Sequence, residues 1–143
     1  MVRFCLDTNV VIEYLKDKNS PAAKLILSLK KEVAITSITL YELYYGPQVI
    51  GRTKELLDID SLRKHILVIP FDEKSAEIAA HIDASLHKKG QPVGLRDVFI
   101  ASIALANNLI IVTRNIRDFQ RIKQVKEELK IATPDQILAE EVS

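Results

Sequence analysis

Four carboxylates, Asp7, Glu42, Asp97 and Asp118, stand at points where an apolar run gives way to a polar turn or where a segment of helical period begins. Acids gathered at one edge of a parallel sheet hold hard divalent cations, because all-oxygen ligand sets suit small, strongly hydrated ions. The chemistry on offer is metal-assisted work on phosphates, with Mg²⁺ or Mn²⁺ as the expected cofactor. Convergence in a low dielectric would raise the acids' pKa values and oppose folding unless a cation neutralised them.

Each acid also has a second reading. Asp7 ends the run Val2-Arg3-Phe4-Cys5-Leu6 and precedes Thr8-Asn9-Val10-Val11-Ile12, the position of a helix N-cap. Thr39-x-x-Glu42 has the spacing of a capping box, in which the glutamate reaches back to the cap's own N–H. Asp97 and Asp118 fit first-turn acids that complement a helix dipole, and Asn115-x-x-Asp118 has the shape of another cap. What favours a joint site is topology: right-handed βαβ connections return successive strand ends to the same sheet edge.

Other chemistries lack their residues. His65, His81 and His87 form no i, i+4 pair and Cys5 has no companion, so a zinc site is not expected. There is no G-x-S-x-G elbow, and the glycines at 46, 51, 90 and 94 make neither a phosphate loop nor a dinucleotide fingerprint. A phosphotransfer domain with Asp7 as nucleophile fits poorly, since Asn9 stands where the phosphatase pattern wants a second aspartate.

The elements that must position these acids read as alternating β and α segments. Apolar runs at Val2 to Leu6, Val33 to Thr36, Ile66 to Ile69 and Leu109 to Val112, with a weaker one at Lys130 to Ala132, separate longer stretches of helical period. The fold expected is α/β, with a central, mainly parallel sheet of four to five strands. Helix starts are signalled by Ser20-Pro21, by Thr39 with Glu42, by Asp72, and by Thr133-Pro134 with Gln136. Asp97 to Ala106 is apolar on nearly every face and predicts a central helix. Ser75 to Lys89 carries one stripe, Ile78, Ala79, Ile82 and Leu86, and predicts a surface helix. Tyr41, Tyr44 and Tyr45, with Leu56, Leu57, Ile59 and Leu62, are read as core packing in preference to a partner surface.

With 143 residues, 48% of them apolar, the chain suffices for one domain over residues 1–143 with a core that needs no staple. The single Cys5 lies inside an apolar run and suggests a reducing compartment. No stretch approaches the roughly 20 apolar residues of a membrane span, so a soluble, cytoplasmic protein with no membrane contact is expected. A net charge of +1 does not give the basic footprint of non-specific nucleic-acid coating, so contacts to nucleic acid must be local.

The ordered blocks Leu6-Asp7-Thr8-Asn9, Glu42-Leu43, Asp97-Val98-Phe99-Ile100-Ala101 and Val112-Thr113-Arg114-Asn115-Ile116-Arg117-Asp118-Phe119 resemble PIN-domain ribonucleases, and more narrowly the VapC toxins of prokaryotic toxin-antitoxin pairs. The resemblance implies a PIN-like three-layer α/β/α sandwich. It implies that Asp7, Glu42 and Asp97 hold Mg²⁺ or Mn²⁺, with Thr8 and Thr113 orienting ligands or water and Asn9 and Asn115 beside them. Many PIN domains place an aspartate two residues after the threonine. This chain has the neutral Asn115 there, and Asp118 of the Asp-Phe pair is the substitute.

The activity implied is hydrolysis of RNA phosphodiesters by metal-activated water. Arg96, Arg114, Arg117 and Arg121 are candidate contacts to the RNA backbone, or equally a solvated helix face with neighbouring acids. The partners implied are an RNA substrate, a second copy in a homodimer and a small antitoxin protein. The rival function is a non-catalytic PIN-like module that binds RNA or protein without cutting, for which Asn115 gives grounds.

Overall fold

The computed structural model describes residues 1–141. Five short strands, β1 (Phe4–Leu6), β2 (Val33–Thr36), β3 (Leu67–Ile69), β4 (Ile110–Val112) and β5 (Lys130–Ala132), form one sheet. The order is β3-β2-β1-β4-β5 and every pairing is parallel. Three of the runs read from sequence are trimmed at their starts, at Val2, Ile66 and Leu109, because the ladder begins only where a neighbour is available.

Strand β1 is apolar and buried throughout, as a central parallel strand must be when helices cover both faces. Alternation sorts its side chains. Phe4 and Leu6 join Val33, Ile35 and Val112 in one core, while Cys5 joins Ile111 in the other. Over the first core lie α1 (Thr8–Lys16), α2 (Pro21–Ser28), α3 (Ser37–Ile50), α4 (Thr53–Arg63) and α8 (Pro134–Glu141), and over the second α5 (Glu73–Lys88), α6 (Leu95–Ala106) and α7 (Ile116–Val125). This is the three-layer α/β/α sandwich expected.

Helix α6 buries Val98, Ile100, Ala101, Ile103 and Ala104 as the central helix, and α5 buries only Ala79, Ile82 and Leu86 of its apolar stripe. Most caps are where the sequence places them. The hydroxyl of Ser20 accepts from Ala23 N at 3.1 Å and Asp72 accepts from Ser75 N at 2.9 Å. Thr133 and Gln136 exchange bonds of 3.2 and 2.8 Å.

The cap of α3 is a correction. Thr36, not Thr39, accepts the helix's first free N–H, from Thr39 at 3.1 Å. The capping-box reading of Glu42 therefore fails, and its carboxylate is free for other partners. The helix continues through Pro47 and stops at Gly51, whose φ of 69° is the left-handed terminus that glycine adopts without a Cβ clash. The tyrosines are a second correction. Tyr41 and Tyr45 are 64% and 58% exposed, and Tyr44 is half-buried with its hydroxyl donating to Asp60 at 2.5 Å. Their helix face points away from the sheet, and of the α4 stripe only Ile59 is fully buried.

Among the described residues, no helix is long and apolar enough to cross a membrane.

Candidate active site

The sheet order reverses at β1. The chain steps outward through β2 to β3, then returns to place β4 on the other flank of β1. A reversal of this kind opens a crevice at the carboxyl ends of the strands, where α/β folds bind ligands. Asp7 follows β1 directly and Thr113 follows β4 directly, so both stand at the crevice floor.

Asp7 is fully buried, and both of its carboxylate oxygens accept two hydrogen bonds. Oδ1 accepts from Thr8 N at 2.8 Å and from Arg96 Nη2 at 2.8 Å. Oδ2 accepts from the Thr113 hydroxyl at 2.7 Å and from Asn9 Nδ2 at 3.2 Å. The N-cap reading is thus true of Asp7 without being exhaustive: it caps α1 with one bond and spends three on groups of the crevice.

Glu42 enters from the second turn of α3. Its Oε1 accepts from the Thr8 hydroxyl at 2.5 Å and its Oε2 from Arg96 Nε at 2.6 Å. Asp97, in the first turn of α6, is only 4% exposed and accepts from Arg96 Nη1. Burial, with the charges of Asp7, Asp118 and Glu42 added, outweighs the pull of Arg96 and pushes the Asp97 carboxyl up to about 6. The Thr8 hydroxyl also accepts from Arg96 Nη2 at 3.2 Å and lies 3.1 Å from that of Thr39.

Three acids from three separate elements therefore meet around one guanidinium. Asp118 is set further out. It is half-buried on α7 and accepts from Asn115 Nδ2 at 3.0 Å, while Asn115 N donates to the Thr113 hydroxyl at 2.9 Å. Asn115 holds the N-cap position of α7 without a side-chain bond to the helix backbone. The polar path from Asp118 to Asp7 runs through Asn115 and Thr113.

The arginines divide. Arg96 is inside the acid cluster. Arg114 donates to both oxygens of Glu13, at 3.0 and 3.1 Å, and to Asp135. Arg117 is exposed on α7, and Arg121 half-buried one turn further along. The partners Glu13 and Asp135 carried no sequence signal, since they lie 101 and 21 positions from Arg114 along the chain. The central place of Arg96 was hinted at only by its adjacency to Asp97.

The donor set fits a hard divalent cation: three carboxylates, two of them buried, with the Thr8 and Thr113 hydroxyls alongside and a compensating positive charge already required. Among the described residues, no three His, Cys, Asp or Glu side chains close to metal-holding distance. The three carboxylates converge on the guanidinium that lies between them.

Beside the cluster, α1, α3 and α4 enclose a mainly apolar cleft of about 690 Å³ lined by Ile12, Leu15, Leu43, Tyr45, Val49 and Ile59, with Glu42, Lys16, Lys54, Glu55 and Asp58 as its charged lining. Cys5, with burial pushing its thiol up to about 12, is a core residue and takes no part. The three histidines are exposed.

The PIN domain model matches residues 4–125. The chain is 33% identical to the tRNA(fMet)-specific endonuclease VapC of Salmonella typhimurium over 129 residues, 90% of this chain and 98% of that one. It is 34% identical over the same extent to its counterpart in Shigella flexneri. The fold superposes on the VapBC of Salmonella typhimurium in its DNA-bound crystal structure with a TM-score of 0.84, 32% identity, and coverage of 94% of this chain and 99% of the other. VapBC2 of Rickettsia felis, bound to a promoter DNA fragment, matches with a TM-score of 0.81 and 28% identity over 93% and 98%. The match spans all four blocks that contribute to the crevice, from Asp7 to Asp118, and the chain belongs to the PIN domain family, among its VapC ribonucleases.

Proposed function

We propose that the chain is a Mg²⁺- or Mn²⁺-dependent endoribonuclease, the toxin of a toxin-antitoxin pair, acting in the cytoplasm as a single PIN domain over residues 1–143. The observation that carries this reading is the meeting of Asp7, Glu42 and Asp97, from β1, α3 and α6, at the switch point of the sheet. Likeness to VapC ribonucleases over nine-tenths of the chain supports the substrate class.

In this reading Asp7, Glu42 and Asp97 hold the cation, and Asp118 adds negative charge from one layer further out. When bound, the cation supplies Lewis acidity that stabilises charge on the attacking and leaving oxygens of the phosphodiester. Thr8 fixes the Glu42 carboxylate and Thr113 the Asp7 carboxylate, each by a hydroxyl bond, so the acids keep their orientation as ligands exchange. Asn9 and Asn115 hold Asp7 and Asp118 in turn. Arg117, exposed beside the crevice, is suited to RNA phosphates, whereas Arg96 is engaged by Asp7, Glu42 and Asp97 and Arg114 by Glu13 and Asp135.

A small antitoxin is the partner suited to the apolar cleft, because a chain laid in it reaches Glu42 without unfolding the crevice. The exposed Tyr41, Tyr45, Val49 and Ile50 are apolar surface that a partner or a second copy in a homodimer would cover. Likeness to solved VapBC proteins, a family of toxin-antitoxin systems, supports the antitoxin.

The test is cleavage of a mixed single-stranded RNA pool by partner-free protein with Mg²⁺, Mn²⁺ or chelator, beside Asp97→Asn. Metal-dependent cutting that falls at least a hundredfold in a folded Asp97→Asn protein is expected, the scale of losing a principal charge-stabilising group. Binding of RNA without cutting, in every metal, would leave the non-catalytic binding module.

A further inference from the structure

We propose that Arg96 is a resident counterion which a divalent cation must displace, so that the chain carries its own brake on metal loading. The inference rests on the metal-nuclease reading of the same acids and adds a regulatory residue to it.

A guanidinium is planar and presents N–H donors on three edges. In Arg96 each edge meets a different carboxylate: Nε meets Glu42 Oε2 at 2.6 Å, Nη2 meets Asp7 Oδ1 at 2.8 Å, and Nη1 meets Asp97 Oδ1. These acids come from three parts of the chain, and among the described residues the arginine is the one group that hydrogen-bonds all three. A cation held by these same three carboxylates would compete with the guanidinium for their charge, so the two positive species exclude each other.

All three carboxylates are turned onto the guanidinium, Asp7 at 2.8 Å and Glu42 at 2.6 Å with Asp97 beside them, so the arginine stands where their charges converge. The arginine also has a way out. Its side chain is 34% exposed, whereas those of Asp7 and Asp97 are 0% and 6% exposed. Glu42, at 24%, is the partly exposed acid of the three, so the arginine can leave toward solvent while Asp7 and Asp97 stay buried.

A ligand that binds only after another group has left is weakened by the fraction of molecules still closed. The arginine therefore lowers apparent metal affinity while sustaining the metal-free fold. Replacing it should move the two properties in opposite directions, which neither a simple phosphate contact nor a simple structural ion pair would do. A phosphate contact would leave metal affinity alone, and a structural ion pair would weaken metal binding along with the fold.

The experiment is calorimetric titration of Mn²⁺ into partner-free wild type, Arg96→Gln, Arg96→Lys and Asp97→Asn, with thermal unfolding of each in chelator and in Mn²⁺. Arg96→Gln is expected to bind Mn²⁺ at least tenfold more tightly than wild type and to unfold at lower temperature in chelator, with Mn²⁺ restoring it. Arg96→Lys, whose compact ammonium cannot span three acids, should fall between, and it carries the test if Arg96→Gln does not fold without metal. Asp97→Asn should lose the binding and so locate it. Equal or weaker Mn²⁺ binding in a folded Arg96 variant would overturn the counterion role and leave the metal site standing. Absence of Mn²⁺ binding in both wild type and the Arg96 variants would overturn the two together.

Discussion

Two arginines at the same edge of the sheet each gather acids from neighbouring elements, yet their surroundings differ. Arg96 joins Asp7, Glu42 and Asp97, of which two are buried. Arg114 joins Glu13 of α1 and Asp135 of α8, with side chains 23% and 58% exposed. Water screens the second group and leaves its members free to dissociate at little cost. It cannot screen the first, where an unpaired carboxylate would remain desolvated. Similar pairings therefore do different work: one ties helices together at the surface, and the other makes three convergent acids compatible with a folded chain.

The largest effect that separates the two is the cost of neutralising each arginine in the absence of metal. Removing one partner of a buried ion pair costs roughly 3–5 kcal/mol, and partial exposure of Arg96 reduces that to an expected ~2–3 kcal/mol for Arg96→Gln. Arg114→Gln should cost less than ~1 kcal/mol, as exposed pairs do. Urea unfolding in chelator measures both. Equal losses would mean that the acids around Arg96 are solvated enough to do without it.

A smaller effect isolates helix placement from charge. Thr36 caps α3 and so sets the register that brings Glu42 to Arg96. Thr36→Ala should cost about 1 kcal/mol, the usual worth of a side-chain cap, without altering the charge of the cluster. Its stability loss should therefore be the same in chelator and in low Mn²⁺ relative to wild type, unlike that of Arg96→Gln. A loss that differed between the two conditions would show that the cap and the cluster are coupled through α3.

How much of this was legible in the sequence follows the range of the interactions. The strands and most caps were, because alternation, apolar runs and pairs such as Thr133 with Gln136 act within a few residues. The parallel sheet followed from the β and α alternation, and with it the likelihood of acids meeting at one edge. Thr39 misled, since two threonines stand three residues apart at the start of the same helix and only the extended backbone at Thr36 marks it as the cap, with Thr39 inside the first turn. The tyrosines misled because an apolar stripe gives no sign of which face the sheet takes. Arg96 could be seen beside Asp97, but its reach to Glu42 spans 54 positions and to Asp7 spans 89, and such contacts exist only after folding.

The smallest effect concerns pH and tests whether the Arg114 group is only a surface tie. The side-chain bond from Arg114, with the Ala22 N–H adding to it, holds Glu13 below the ordinary glutamate value of 4.5. A carboxylate lowered by folding contributes stability that is present above its unfolded pKa and is lost as pH falls through the folded one. Wild type should therefore lose stability on the acid side of about pH 4.5, and Arg114→Gln should lose less over the same interval, because its Glu13 keeps only the Ala22 bond. Asp72, lowered by the Ser75 backbone and side-chain bonds, contributes in the same direction in both proteins and cancels in the difference. Urea midpoints taken from about pH 6 to about pH 3 give that difference directly. If the two curves stay parallel, Arg114 does not stabilise the Glu13 carboxylate, and its guanidinium is available to RNA after all.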